Sequence, residues 1–95
     1  MPGENRRDYR ETEQASITVT GSDYKSHSFE EQTVLRDISA VGVSFYLNAP
    51  VAPRAFLMID VSRSRLMGYL GKRRAVVVRT ENGSADKKLV AAEFI

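Results

Sequence analysis

Alternation of apolar and polar residues is the main pattern in this chain, and it predicts short β-strands. Ile17 and Val19 point to one side of such a strand while their polar neighbours point to the other. Together with apolar runs bounded by turn signals, this pattern predicts six or seven short strands, within 15–20, 29–36, 43–47, 55–61, 66–70, 75–79 and 89–95. No amphipathic helix of ten or more residues is indicated, so the expected fold class is all-β.

Some segments allow more than one interpretation. Residues 55–61 form an apolar run broken only by Asp60, which fits a strand covered on both faces or a short buried helix; their Ile and Val content favours the strand. Asp60 itself is expected to be a satisfied polar residue at a strand end. Residues 66–70 and 75–79 fit one bent strand or two strands interrupted at Gly71. Turns are predicted at 21–23 and at 81–83.

The spacing of the turn signals, every 8 to 15 residues, predicts a closed barrel or a small sandwich. A chain of 95 residues fits one domain, here 1–95. Within it, residues 1–14 have no apolar periodicity and are expected to form a mobile arm, while 15–95 form the β-domain.

Composition narrows the class of protein. With 42% hydrophobic and 27% charged residues the chain is expected to fold, and a net charge of +2 is too balanced for binding DNA by charge alone. The absence of cysteine excludes disulfides and thiolate metal sites, and the single histidine, His27, leaves no credible zinc site and reads as a solvated turn residue. No signal peptide or membrane span is evident, so the expected location is cytoplasmic.

Two short motifs carry the candidate chemistry. The first is RxxxR, formed by Arg6 and Arg10, whose planar guanidinium groups suit bidentate contact with phosphate oxygens or with O6 and N7 of guanine. Taken alone, the motif also fits a solvated charged arm.

The second motif, DxSxxG, is formed by Asp37, Ser39 and Gly42 at a junction between two strands. A carboxylate can accept from N1–H and N2–H of guanine, a hydroxyl can bond phosphate or base, and glycine allows close backbone approach and a turn. Taken alone, the motif also fits an Asx or Ser turn. The two motifs together indicate a doubly anionic ligand that contains guanine.

In order and spacing the two motifs resemble those of the PilZ domain family, with 26 residues between them. The resemblance extends over essentially the whole chain. It implies a six-stranded antiparallel β-barrel, split or Greek-key-like, with little or no helix and a flexible N-terminal arm. It also implies a site for the bacterial second messenger cyclic di-GMP, with Arg6 and Arg10 on the arm, Arg7 as an auxiliary, and Asp37, Ser39 and Gly42 on the barrel.

The predicted function is that of a receptor domain without enzymatic activity, metal or cofactor, whose arm changes conformation when cyclic di-GMP binds. The change would signal to a protein of the motility, secretion or exopolysaccharide machinery. One alternative is a PilZ-like interaction module that no longer binds nucleotide. Another is a small barrel for single-stranded nucleic acid, which the four scattered tyrosines and the near-neutral charge disfavour.

Overall fold

The structure, a computed structural model, describes residues 11–12, 15–65, 67–83 and 86–95. The arm arginines Arg6, Arg7 and Arg10 lie outside the described residues. Across the described ranges there is no α-helix, and so nothing helical with the length and hydrophobicity to cross a bilayer. The strands are β1 (Glu11–Thr12), β2 (Ser16–Ser22), β3 (Ser28–Ile38), β4 (Gly42–Leu47), β5 (Phe56–Asp60), β6 (Lys72–Asn82) and β7 (Lys88–Phe94).

Strands β2 to β7 close into a six-stranded antiparallel barrel, which confirms the predicted fold class. Two sets of hairpins build it: β2, β3 and β4 pair in sequence, and so do β5, β6 and β7. The sets join through β2 with β5 and through β4 with β7. Closure leaves none of these six strands with an unpaired edge, the feature that otherwise invites aggregation.

The apolar positions of the alternating pattern fill the barrel. Phe45, Val19 and Ile59 have no solvent exposure, and a side chain of this size contributes about 1.5–3 kcal/mol when it is buried. The remaining core residues are Ile17, Leu35, Ile38, Val43, Leu47, Val51, Leu57, Val61, Ala75, Val77, Val90 and Ala92. Every barrel strand contributes to this core, so the outward face is left for polar chemistry.

The structure corrects two details of the predicted strands. Residues 55–61 contain a strand, β5, but it is covered on one face only, since Phe56 is 65% exposed. The predicted strand at 66–70 is wrong over its described part, where Gly68–Leu70 form a single 3₁₀ turn. Gly68 lies against the Ser62 carbonyl, and Gly71 has a φ of 62°, so the chain reverses instead of extending.

The first predicted turn lies later in the chain than expected. β2 continues through Gly21, where a Cβ would lie 2.7 Å from Leu57 Cδ2, so this glycine serves the close approach of β5. The turn itself follows at Asp23, whose carboxylate accepts the backbone N–H groups of Lys25 and His27. His27 is 75% exposed, which confirms it as a solvated turn residue.

Strand β1 was not predicted, because the polar residues before Ala15 carry no alternation. Glu11 lies opposite Ile38 and Thr12 opposite Asp37, both on β3. Residues 11–12, which belong to the predicted mobile arm at 1–14, are instead paired to the strand that carries the start of DxSxxG.

Asp60 ends β5 and is satisfied by the turn that follows, as predicted. The Ser62 hydroxyl donates to its Oδ1 at 2.6 Å, and the Ser62 backbone N–H donates to the same oxygen at 3.0 Å. These hydrogen bonds hold the pKa of the Asp60 carboxyl below its ordinary value.

We expect Asp60→Asn to lower the free energy of unfolding at neutral pH by less than about 1 kcal/mol, because Asp60 is only partly buried and its partner Ser62 is exposed. A lowered folded-state pKa stabilises the protein above the unfolded-state value of about 3.9 and ceases to do so as pH falls through the folded-state value. Urea unfolding of both proteins across this range should show the difference shrinking as pH falls. A constant difference would contradict the assignment to charge.

Candidate functional site

A cleft of about 360 Å³ lies on the outer face of the barrel, over parts of β3, β4, β6 and β7. Its lining includes Asp37, Ser39 and Gly42, so the structure brings the three described residues of the candidate site together. Two partly exposed apolar side chains, Val41 and Val78, also line it and offer surface to a planar ligand. The cleft is the candidate binding site.

The floor of the cleft is a row of four residues that pair directly across the sheet. Asp37 lies opposite Ser44, Ser44 opposite Ala91, and Ala91 opposite Arg79. Neighbouring strands are about 4.8 Å apart, so the row extends roughly 14 Å from the carboxylate to the guanidinium end. Ala91 has a small side chain, so the middle of this floor takes up little of the cleft.

Each end of the row lies at a β-bulge. In β3 the register shifts between Leu35 and Asp37, and in β6 it shifts between Val77 and Arg79. Leu35 and Val77 face the core, and strict alternation would turn the residue two positions later inward as well. The bulges instead direct Asp37 and Arg79 to the outer face, a known use of bulges next to functional sites.

Two neighbouring side chains contact one oxygen of the Asp37 carboxylate. The Ser44 hydroxyl donates to its Oδ2 at 3.0 Å, and the Arg36 Nε lies 3.9 Å from the same oxygen. The carboxylate is only 12% exposed, whereas Arg36 is half exposed. A carboxylate fixed in this way is ready to accept hydrogen bonds without a large further loss of side-chain freedom.

Ser39 organises the turn between β3 and β4. Its Oγ accepts the backbone N–H groups of Val41 and Gly42, each at 3.3 Å, while its own N–H donates to the Gly42 carbonyl at 2.9 Å. The motif therefore does form a Ser turn, as its isolated interpretation allowed. With both lone pairs of Oγ engaged, the hydroxyl proton is the group that Ser39 presents to a ligand.

Gly42 has a different role from the one expected in the turn. It is the first residue of β4 and does not have a positive φ. A Cβ on Gly42 would lie 2.8 Å from the Ala92 carbonyl oxygen, so its lack of a side chain lets β4 approach β7. This contact brings the two central strands of the cleft floor together.

The far end of the cleft holds an ion pair. Arg79 Nε donates to Glu81 Oε2 at 2.9 Å, and both side chains are mostly exposed. Among the described residues, the charges that line the cleft are Arg36 and Arg79 against Asp37, Glu81 and Glu93, one net negative charge. On its own, this described part of the site does not attract an anion.

The sequence pattern missed five polar residues of the cleft, namely Arg36, Ser44, Arg79, Glu81 and Glu93. Ser44 follows the motif glycine at an outward position of a clear strand and is the one that the alternation could have indicated. Arg79 and Glu81 lie far from the motif in sequence, and the bulge that turns Arg79 outward leaves no signal in the residue pattern.

Comparisons with known proteins concern the fold. No family model and no curated protein sequence matches the chain. The structure of K. pneumonia MrkH in its apo state matches with a TM-score of 0.58 and 14% identity, over 98% of this chain and 45% of that chain. The 2.65 Å P2(1) crystal structure of K. pneumonia MrkH matches with a TM-score of 0.58 and 16% identity, over 98% and 43%. The chain therefore spans less than half the length of the MrkH chains.

Proposed function

We propose that this chain is a cyclic di-GMP receptor domain and that the cleft is its nucleotide site. The observation that carries the proposal is the pairing of Thr12 with Asp37. It sets residues 11–12, which directly follow Arg10 in the sequence, beside the first residue of DxSxxG at one end of the cleft. The PilZ resemblance and the fold shared with MrkH support the same assignment.

The barrel half of the site is proposed to recognise guanine. The Asp37 carboxylate accepts from N1–H and N2–H of the base, which lie on one edge and match two carboxylate oxygens. The Ser39 hydroxyl donates to an acceptor of the ligand, while Val41 offers an apolar contact. Asp37 and Ser39 are proposed to bind the ligand and not to act as a base or a nucleophile. The domain is therefore proposed to be a receptor and not an enzyme.

The arm is proposed to supply the positive charge that the cleft lacks. Cyclic di-GMP carries two phosphodiester charges, and the described cleft contributes one further negative charge. Arg6, Arg7 and Arg10 bring three guanidinium groups that can form charge-assisted hydrogen bonds to phosphate or guanine, and with Glu4 and Asp8 the side chains of residues 1–10 carry one net positive charge. Both halves are therefore required for binding.

Closure of the arm over the cleft is the proposed signal. Residues 1–10 would then cover Asp37 and the nearby turn, which changes the surface available to another protein. The partner is proposed to belong to the motility, secretion or exopolysaccharide machinery.

Isothermal titration of the protein with cyclic di-GMP tests the proposal, with cyclic di-AMP as the matched control. Both ligands carry the same ring and charges, but adenine offers Asp37 no paired N1–H and N2–H donors. We expect heat of binding with cyclic di-GMP alone, and amide NMR shifts at 37–44. Absence of binding to cyclic di-GMP at tens of micromolar protein, or equal binding of both nucleotides, would refute the proposal.

A further inference from the structure

Arg79 is the cationic end of the cleft floor, at the opposite end from Asp37. The bulge at Val78 directs it outward, and its Nε is held by Glu81 at 2.9 Å. This contact uses the inner nitrogen of the guanidinium group. The two terminal amino groups form no hydrogen bond with another described residue, so they are available to donate to a ligand.

An exposed ion pair of this kind is usually worth little to folding, at most about 1 kcal/mol. Here the pair lies in the lining of the cleft and at a bulge, two features that an ordinary surface pair does not need. Glu81 adds a negative charge to a site proposed to bind an anion, which is unfavourable unless it also orients Arg79. The Arg79–Glu81 ion pair is therefore better suited to recognition of a ligand than to stabilisation of the fold.

The distance along the floor decides which ligand can use both ends. Asp37 and Arg79 are three strand spacings apart, roughly 14 Å. One base held at Asp37 does not extend across this row, whereas a ligand with two bases on one ring has a second base to place beyond Ala91. The exposed Val78 next to Arg79 offers that base an apolar contact.

We propose that Arg79 forms a second guanine subsite, in which its terminal amino groups donate to O6 and N7 of the second base, and that Glu81 is the residue that positions Arg79. The inference rests on the proposed function and deepens it, because it assigns the two ends of the cleft to the two guanines of one cyclic dinucleotide. A phosphate also offers paired acceptors to a guanidinium group, so the experiment must separate base from phosphate.

The experiment compares Arg79→Ala with the matched control Arg74→Ala, using calorimetry. Arg74 is an exposed arginine on the same strand that does not line the cleft, so its removal reports the loss of charge alone. Each variant is titrated with cyclic di-GMP and with 3′,3′-cyclic GMP–AMP, which keeps both phosphates and one guanine. Its adenine presents a donor where guanine has O6, so it cannot accept two hydrogen bonds from Arg79.

We expect Arg79→Ala to weaken cyclic di-GMP binding about tenfold or more relative to Arg74→Ala, as for other bidentate arginine–guanine pairs. Binding of the mixed dinucleotide should change no more than in the control. An equal loss for both ligands would place Arg79 on a phosphate and overturn the guanine subsite. A loss no larger than that of Arg74→Ala would overturn the inference but leave the proposed function intact, whereas failure of the wild type to bind overturns both.

Glu81→Ala tests the positioning role by the direction of its effect. If Glu81 acts only through its charge, its removal should tighten binding of cyclic di-GMP. If it positions Arg79, its removal should weaken binding, and the Arg79 Nε–H signal in NMR spectra should lose the shift that the contact with Glu81 causes. Tighter binding in Glu81→Ala would overturn the positioning role.

Discussion

Replacement of Arg10 with alanine is expected to weaken cyclic di-GMP binding by tens to thousands of fold, the largest effect that the proposed site predicts. Arg10 is the motif arginine nearest to β1, which pairs with β3 at Asp37. Its guanidinium group is proposed to bond phosphate or guanine once the arm has closed. Loss of one partner from such a charged hydrogen-bonded contact costs about 2 to 5 kcal/mol.

Arg63→Ala is the matched control for Arg10→Ala. It removes the same charge from an exposed turn that is not part of the cleft lining, so any general electrostatic effect on an anionic ligand is shared. Calorimetric titration of both variants should show a large loss for Arg10→Ala and at most a small one for Arg63→Ala. Equal affinities in the two variants would mean that the arm does not engage the nucleotide.

Asp37→Ala is expected to weaken binding on the same scale, about 2 to 5 kcal/mol, for a different reason. The carboxylate is nearly buried and already fixed by Ser44, so its oxygens are held in place for guanine. Without them, N1–H and N2–H of the bound base lose their water and gain no acceptor. The loss should therefore be specific to guanine: Asp37→Ala should narrow the difference in affinity between cyclic di-GMP and cyclic di-AMP, which lacks these donors.

Asp37→Asn keeps the size of the side chain and offers Ser44 a carbonyl acceptor, so it controls for damage to the barrel. Its amide group has one acceptor oxygen instead of two, and we expect binding weaker than wild type and stronger than Asp37→Ala. Circular dichroism and thermal unfolding check that both variants fold. If a folded Asp37→Ala variant binds with unchanged affinity, Asp37 does not contact the ligand.

Alternation together with apolar runs predicted a segment for each of the six barrel strands, because a strand with one buried face repeats every two residues. The segments around Ile17, Phe45 and Val90 are in strands, as predicted, and the structure places all three side chains in the core. The pattern was less informative where a glycine served close packing. Gly21 was interpreted as a turn residue, yet its neighbour across the sheet, Leu57, explains it.

Of the candidate site, the motifs predicted Asp37, Ser39 and Gly42, which all line one cleft. The arm arginines Arg6, Arg7 and Arg10 lie outside the described residues and remain predictions. Sequence reasoning did not find Arg79, because its relation to Asp37 depends on pairing through two intervening strands. Such pairing is a property of the closed barrel and has no counterpart in local residue order.

The sequence by itself determined an all-β chain and two motifs whose chemistry suits guanine and phosphate, since alternation and side-chain donors are local properties. Only the tertiary structure decided which residues surround the second motif. Pairing of Thr12 with Asp37 sets residues 11–12 beside the cleft, and bulges before Asp37 and Arg79 turn both charged side chains from the core to the outer face of the barrel. A bulge shifts the register by one residue, and with a repeat of two that shift reverses which face a side chain occupies.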